Sequence, residues 1–479
     1  MLAAVGFAIV IVALAGYLSL STGPSSHNSV FFSTTTQPSS LSLSSASTTN
    51  VTPTQNATST ACGASVTQSD WTTYHGSNSR VGYSSSEVSC AKEDWQFGGL
   101  DGDVYAEPLV YHGLVVVATE NDSVYALNAT TGRQVWVTHV GTPMDGSALP
   151  CGDINPSGIT GTPVIDPSTG SIYVVAFEAP GAHYLVALGE ADGQIQFTKL
   201  ADPSGADPLV EQERGALSLA GGRVYVPFGG LEGDCGDYHG WVVGINADGS
   251  GGQVSYQVPT GREGGIWAPS GIAIDESGHL FVATGNGAST STFDHGDSVI
   301  ELSPTLTELG YFAPSNWSEL NSGDNDLGSV GPMLLGQREV FQIGKEGVGY
   351  LLNATVLGGV GGQIFEGQVC SSAFGGDASV GDMVFVPCTD GLHALSVKAG
   401  SFQAAWMSAD FPSGPPIVTG NVVWALDTSN GTLHGYAASS GVGLYSFNTG
   451  TVTRFTTPSA GDGRVFVAAG SSVFAFSTG

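Results

Sequence analysis

A short β-branched and aromatic phrase opened by Gly, as in "GGRVYVPFGG" (from Gly221), returns along this chain of 479 residues and restricts its fold more than any other feature. It recurs as "GLVVVATE" (Gly113), "GSIYVVAF" (Gly170), "GHLFVATG" (Gly278), "REVFQIGK" (Arg338), "GDMVFVPC" (Gly381), "GNVVWALD" (Gly420) and "GRVFVAAG" (Gly463). Runs of Val, Ile, Tyr and Phe that stop at Gly, Asp or Asn read as strands. Seven are followed by a strand–turn–strand partner such as "SVYALNATTGRQVW" (Ser123), and a shorter apolar run such as "EPLVY" (Glu107) precedes each. Each unit is therefore about four strands, repeated roughly every 40 to 60 residues, near the ~40–50 of a propeller blade. One such sheet cannot bury its own faces, but a ring of them can, and closure removes exposed edges.

The eighth unit ends at "SVFAFSTG" (Ser472) and lacks a last strand, which "KEDWQFGG" (Lys92–Gly99) has the pattern to supply. The expected fold is all-β: an eight-bladed β-propeller of four-stranded antiparallel blades, closed by an N-terminal strand. A solenoid would leave Lys92–Gly99 without a role. The 70 Gly residues fit the many tight turns such a fold needs.

Before the repeats, Leu2–Leu20 is uncharged and long enough to span a bilayer core of ~30 Å as a helix. It reads as an uncleaved signal-anchor at 1–20, with a cleaved signal as the alternative. Residues 21–69 are Ser/Thr-rich and cannot bury a core, so they read as a stalk, with the propeller at 70–479. Seven N-x-S/T sequons (Asn50, Asn56, Asn121, Asn128, Asn316, Asn353, Asn430) and six Cys suit an extracytoplasmic, glycosylated protein. Sequence proximity and the ring architecture suggest Cys62–Cys90, Cys151–Cys235 and Cys370–Cys388. Lys and Arg number only 12 and the formal charge is −30, which excludes nucleic acid as a partner and limits membrane contact to the N-terminal helix. So few bases also limit charge build-up in acid, which points to an acidic habitat.

The phrase "VYALNATTGRQVW" resembles the repeat of pyrroloquinoline-quinone (PQQ) propeller proteins, through Ala126, Asn128, Thr131, Gly132 and Trp136. In that family late-strand Trp residues dock between blades, a role the resemblance gives to Trp136, Trp406 and Trp95. The lead-in "DWTTYHGSNSRVGY" (Asp70) is also similar. "GGIWAPSGIAIDESGHLFVATGNG" (Gly264) is similar to the quinoprotein alcohol dehydrogenase segment that sets a Trp under PQQ and an Asn on its calcium, implying Trp267 and Asn286. Likewise "APSNWSELNSGDNDLGS" (Ala313) implies Asp326, with Asp324 close by, as the base that deprotonates an alcohol. "GKEGVGYLLN" (Gly344) implies Lys345 on the quinone oxygens, and "EQERGALSL" (Glu211) offers Glu213 as a calcium ligand, with Arg214 competing for the inward position.

The chemistry suits these residue types: an indole supports a flat quinone, oxygen ligands hold Ca²⁺, and a carboxylate takes a proton. The family's adjacent Cys pair and a haem-binding C-x-x-C-H are absent. Each residue also has a structural reading: Trp267 packs the inner wall, Asn286 caps a turn, Asp326 and Asp324 are solvated loop acids, and Lys345 pairs with Glu346 or a neighbouring blade's acid. Two functions follow. The preferred one is a membrane-tethered binding or assembly module holding a protein or small-molecule partner at its channel or loop face, by analogy with the propeller lipoprotein of outer-membrane assembly. The alternative is a PQQ- and Ca²⁺-dependent dehydrogenase, which gains if Trp267, Asn286, Asp326 and Lys345 meet in one axial pocket.

Overall fold

Eight sheets follow one another around an axis in a computed structural model that describes residues 69–479. The anchor, most of the stalk, the sequons at Asn50 and Asn56, and Cys62 of the proposed Cys62–Cys90 pair lie outside the described residues. Among the described residues no helix is long and apolar enough to cross a membrane.

The first blade shows the common plan: Leu109–Tyr111, Leu114–Thr119, Ser123–Asn128 and Gln134–His139 pair antiparallel in chain order. Its inner strand is buried throughout, whereas the outer strand alternates towards solvent. Burial thus falls from axis to rim, as expected of sheets stacked face to face around a centre. In the eighth blade the outer strand is Lys92–Phe97, which pairs antiparallel with Ser472–Ser477 in register from Lys92↔Ser477 to Phe97↔Val473. The N-terminal strand therefore closes the ring.

Late-strand indoles lock neighbouring blades. Trp95, Trp136 and Trp406 donate from Nε1 to Ala129, Glu190 and Ala438 of the next blade at 3.0, 2.8 and 2.9 Å. Each ring lies on a left-handed Gly (Gly132, Gly193 or Gly441), where an added Cβ would meet the indole at 2.5–2.6 Å. That approach is why the turn "ATTG" ends in Gly.

One excursion departs from the simple repeat. Within "GYLLNATVLGGVGGQIF", Gly359–Val360 pairs parallel with Glu308–Ala313 of the preceding blade before Phe365–Gln368 completes its own. Positive φ at Gly358, Gly359 and Gly361 allows this detour.

A second feature closes one end of the axis. The inner strands are Leu109–Tyr111, Val164–Asp166, Ser218–Ala220, Ala273–Ile274, Met333–Leu335, Ala378–Val380, Ile417–Thr419 and Ser459–Gly461. Residues 69–82 bond to seven of these strands and, at the eighth, to Asp462 just beyond its end. Ser69 meets Asp462, Trp71 meets Val110, and Thr72 O accepts from Ile165 N. Asn78 holds Leu219 and Ile274, while the carbonyls of Ser79, Val81 and Gly82 accept from Leu334, Ser379 and Val418. Trp71, Tyr74, His75 and Arg80 are buried, so this segment fills the channel at that end. Arg80 uses all five guanidinium N–H bonds, to Thr73 Oγ1, Ser218 Oγ and the carbonyls of Tyr74, Leu217 and Ile272. Lys has three donors and no planar fork. Arg80→Lys is expected to leave at least two of these acceptors bare and to lower stability by roughly 2–5 kcal/mol in denaturant melts. A loss below about 1 kcal/mol would show that the plug does not depend on this residue.

The interior also holds many carboxyls. Burial raises Glu120 to about 7 and Asp122 and Glu211 to about 8, and drives Glu107, Glu213, Asp297 and Asp377 well above the usual range. Each binds its proton more tightly folded than unfolded. Its contribution is complete below the unfolded value near 4 and is lost as pH rises through the folded value. His75, held down at about 3 by burial, acts oppositely as pH falls below about 6.5, but it is one group against seven. The melting temperature is therefore expected to rise by roughly 5 °C or more from pH 8 to pH 5. Asp377, whose two oxygens are buried without hydrogen bonds, tests this singly: Asp377→Asn should stabilise the protein at pH 8 and flatten the profile. A melting temperature that falls on acidification would contradict the assignment.

Candidate functional site

At the mouth opposite the plug, loops that lead into the inner strands converge with loops that join the second and third strands of a blade. They bring Arg214, Trp267, Asp326, Lys345, Phe374 and Phe455 around a cavity of about 200 Å³. The four residues singled out in the middle of the chain do not all enter it. Trp267, Asp326 and Lys345 line it, whereas Asn286 sits directly behind Asp326, donating its backbone N–H to Asp326 Oδ1 at 2.8 Å. The Asn286 side chain turns instead towards Glu263 Oε2, 3.4 Å away.

The motif glycines make this approach possible. A Cβ on Gly285 of "TGNG" would lie 2.9 Å from Asp326 Oδ1 and 3.1 Å from Trp267 Nε1. One on Gly344 of "GKEG" would strike the Asp326 carbonyl at 2.4 Å. Lys345 is thereby bound to Asp326 twice: its backbone N–H donates to Asp326 O at 3.0 Å, and its ammonium lies 2.7 Å from Asp326 Oδ2. The same ammonium is 3.0 Å from Asp324 Oδ1 and 5.8 Å from the centre of the Trp267 ring. Glu346 does not pair with Lys345; it accepts from the Asn316 amide at 2.9 Å. Asp326 is buried rather than a solvated loop acid. Burial pushes its carboxyl up and Lys345 draws it only part of the way back. For Lys345, burial opposes the charge but the two carboxylates outweigh it and hold the ammonium above its usual range.

Of the neighbours Glu213 and Arg214, only Arg214 lines the cavity. Glu213 is buried against Gly161, where an added Cβ would lie 2.4 Å from both carboxyl oxygens, and its Oε1 has no hydrogen bond. Arg214 places its guanidinium 5.1 Å from the centre of Trp267 and 5.9 Å from that of Phe455. Phe455 in turn stacks on Phe374 at 6.3 Å. At the rim, Arg454 pairs with Asp153 and lies 4.0 Å from Glu232. The disulfide Cys151–Cys235 ties the loops carrying those two acids, and Gly152 N donates to Glu232 O at 2.9 Å. Cys370–Cys388 is bonded in the blade behind Phe374.

Phe374, Arg454 and Phe455 belong to no motif. The signal that could have found them is positional: each stands four or five residues before an inner strand, as Arg214 does. A second signal is scarcity, since three of only 12 Lys and Arg residues gather at this mouth.

A family model described as outer membrane protein assembly factor BamB matches residues 20–294. The chain belongs to this family of PQQ-like propellers. No curated protein sequence matches it. Among solved structures it is similar to the quinohemoprotein alcohol dehydrogenase from Comamonas testosteroni, with 18% identity and a TM-score of 0.65 over 85% of this chain and 80% of that one. A europium-containing methanol dehydrogenase gives 14% identity and a TM-score of 0.66 over 85% and 98%. BamB from Moraxella catarrhalis gives 15% and 0.56 over 81% and 98%. At these identities the likeness shows the fold, which dehydrogenases and an assembly factor share.

The residues present do not fit the calcium–quinone pair that the sequence resemblance implies. Calcium takes six to eight oxygen ligands. Here one Asp326 oxygen accepts from Asn286 N, the other holds Lys345, Glu213 faces away, and the Asn286 amide is turned aside. Among the described residues the only three His, Cys, Asp or Glu side chains close enough to share an ion are Cys370, Cys388 and Asp390, and both sulfurs are in a disulfide. The indole that would support a quinone is overlain by Arg214.

The Lys345–Asp326 pair is testable. Removing one partner of a largely buried pair strands a charge, so Lys345→Met should cost roughly 2–4 kcal/mol, somewhat less than for a fully buried pair. Lys345→Met combined with Asp326→Asn should recover most of that loss. Equal losses in the single and double variants would show that the pair is not coupled.

Proposed function

We propose that this protein is an extracytoplasmic binding module of the PQQ-like propeller family, tethered through its N-terminal segment, whose pocket face holds its ligand. The observation that carries this reading is the Lys345 ammonium at 2.7 Å from Asp326 and 3.0 Å from Asp324. The carboxylate that a dehydrogenase would use as base is neutralised from within the chain, and the place of a bound cation is filled by a side chain. The meeting of Trp267, Asp326 and Lys345 in one cavity supports a ligand site at the axis, which both functional readings share. The metal ligands that would favour the oxidoreductase do not accompany it.

The scarcity of bases and the disulfides suit a location outside the cytoplasm.

The deciding assay mixes purified protein with PQQ and Ca²⁺ and follows dye reduction with primary alcohols and aldose sugars. The binding-module reading expects no turnover above a Trp267→Ala control and no quinone absorbance eluting with the protein. Turnover that depends on both Ca²⁺ and Asp326 would overturn it in favour of a quinoprotein dehydrogenase.

A further inference from the structure

Arg214 is the cation at the axial mouth that no carboxylate touches among the described residues; Asp153 and Glu232 act on it only from a distance. Lys345 is held by Asp326 and Asp324, and Arg454 by Asp153 with Glu232 near by. Among the described residues Arg214 makes no ion pair and its guanidinium takes no hydrogen bond; its Nε is buried without a partner. What holds it is the faces of Trp267 and Phe455. Aromatic contact satisfies a guanidinium's charge in part but does not use its N–H groups, which lie in its plane and match a carboxylate in bidentate fashion. Burial and the nearby Arg454 lower its pKa only to about 10, so it remains a cation at neutral pH.

The surroundings add shape and size. Phe374, Phe455 and Trp267 give the cavity aromatic walls, with Phe374 and Phe455 stacked and Phe455 6.5 Å from Trp267. Phe455 is held at a φ of +64°, a left-handed conformation that a bulky residue adopts only where its surroundings impose it. At about 200 Å³ the cavity is smaller than the roughly 300–1,000 Å³ that drug-sized ligands occupy. A single ring with one acidic substituent suits it.

We infer that the axial pocket binds a small single-ring aromatic carboxylate without a metal ion, its carboxylate on the in-plane donors of Arg214 and its ring against Phe374, beside the Trp267 and Phe455 rings that Arg214 covers. This rests on the binding-module reading and names the ligand class of that site. It departs from the metal-bound quinone that the sequence resemblance implies in both charge logic and size: Lys345 already supplies the fixed cation beside Asp326, and the free cation is Arg214.

Titration calorimetry with benzoate and its neutral isostere benzamide tests the assignment, using the whole chain. Benzoate should bind one to one, with benzamide about tenfold or more weaker, as expected for losing a charge-assisted contact. Arg214→Gln should abolish that preference. Arg214→Lys should retain part of it, since the charge remains and the fork is lost. Melting temperatures of both variants establish that they are folded, and a 1,4-disubstituted two-ring acid should bind more weakly than benzoate. EDTA or added Ca²⁺ should leave benzoate affinity unchanged.

Equal affinity for benzoate and benzamide, undetectable binding of both, or binding only with Ca²⁺ would overturn the inference. If Arg214→Gln is folded and keeps the preference, Arg214 is not the anchor and the assignment also fails. PQQ-dependent alcohol oxidation would overturn the binding-module reading itself. Absence of both turnover and benzoate binding would sink only the ligand class.

Discussion

The ring depends on hydrogen bonds between one irregular segment, residues 69–82, and the inner strands of seven blades, with Asp462 just past the eighth. Seven of the eight inner strands, each of two or three residues, pair with only one neighbour in their own sheet, and the eighth, Ile417–Thr419, is paired on its other edge by Tyr83–Ser84, which directly follows the segment. Unpaired backbone groups in a dry channel are costly. The lead-in segment satisfies them at one end, and Arg80 gathers three further carbonyls with its five donors. Closure by Lys92–Phe97 then fixes the circumference. With one mouth stitched shut, the loops entering the inner strands are held at the other, where side chains from several blades can be placed within a few ångströms of each other.

The composition acquires a physical sense in this frame. A chain with 42 acids and 12 bases can pair few of its buried carboxylates with a cation. Many instead accept backbone N–H groups: Gly158 N donates to Glu120, His75 N to Glu107, Leu327 N to Asp297 and His239 N to Glu211. Protonation of these groups is compatible with the fold, which connects a fold rich in raised carboxyls to stability on the acid side. Against this background the mouth is balanced rather than acidic: Arg214, Lys345 and Arg454 line it together with Glu232, Asp234 and Asp326. Two of the three cations are paired with acids and the third is not.

The ring was legible in the sequence because it is written eight times, at a period that both counts the blades and reveals the missing strand. The Trp95, Trp136 and Trp406 joints were legible for the same reason, each tied to a turn Gly of fixed position. The detour at Gly359–Val360 was not, since a glycine-rich turn does not specify which sheet edge it visits. The site was legible in part. Trp267, Asp326 and Lys345 stand in motif-like surroundings, and they do meet. Asn286 is adjacent but contributes its backbone, and the side-chain direction of Glu213 against Arg214 follows from packing against Gly161 that lies some fifty residues earlier in the chain. Phe374, Arg454 and Phe455 sit in loops without pattern, and only the folded ring brings them to the axis.

The account turns on a side chain, not a metal ion, being the cation beside Asp326. The most direct measurement is anomalous diffraction from crystals soaked in europium, the ion carried by the similar methanol dehydrogenase. The account predicts no anomalous peak within coordinating distance of Asp326 and Asn286, with Lys345 still on the Asp326 carboxylate. A peak bound by those two residues, with the Lys345 ammonium displaced, would contradict it.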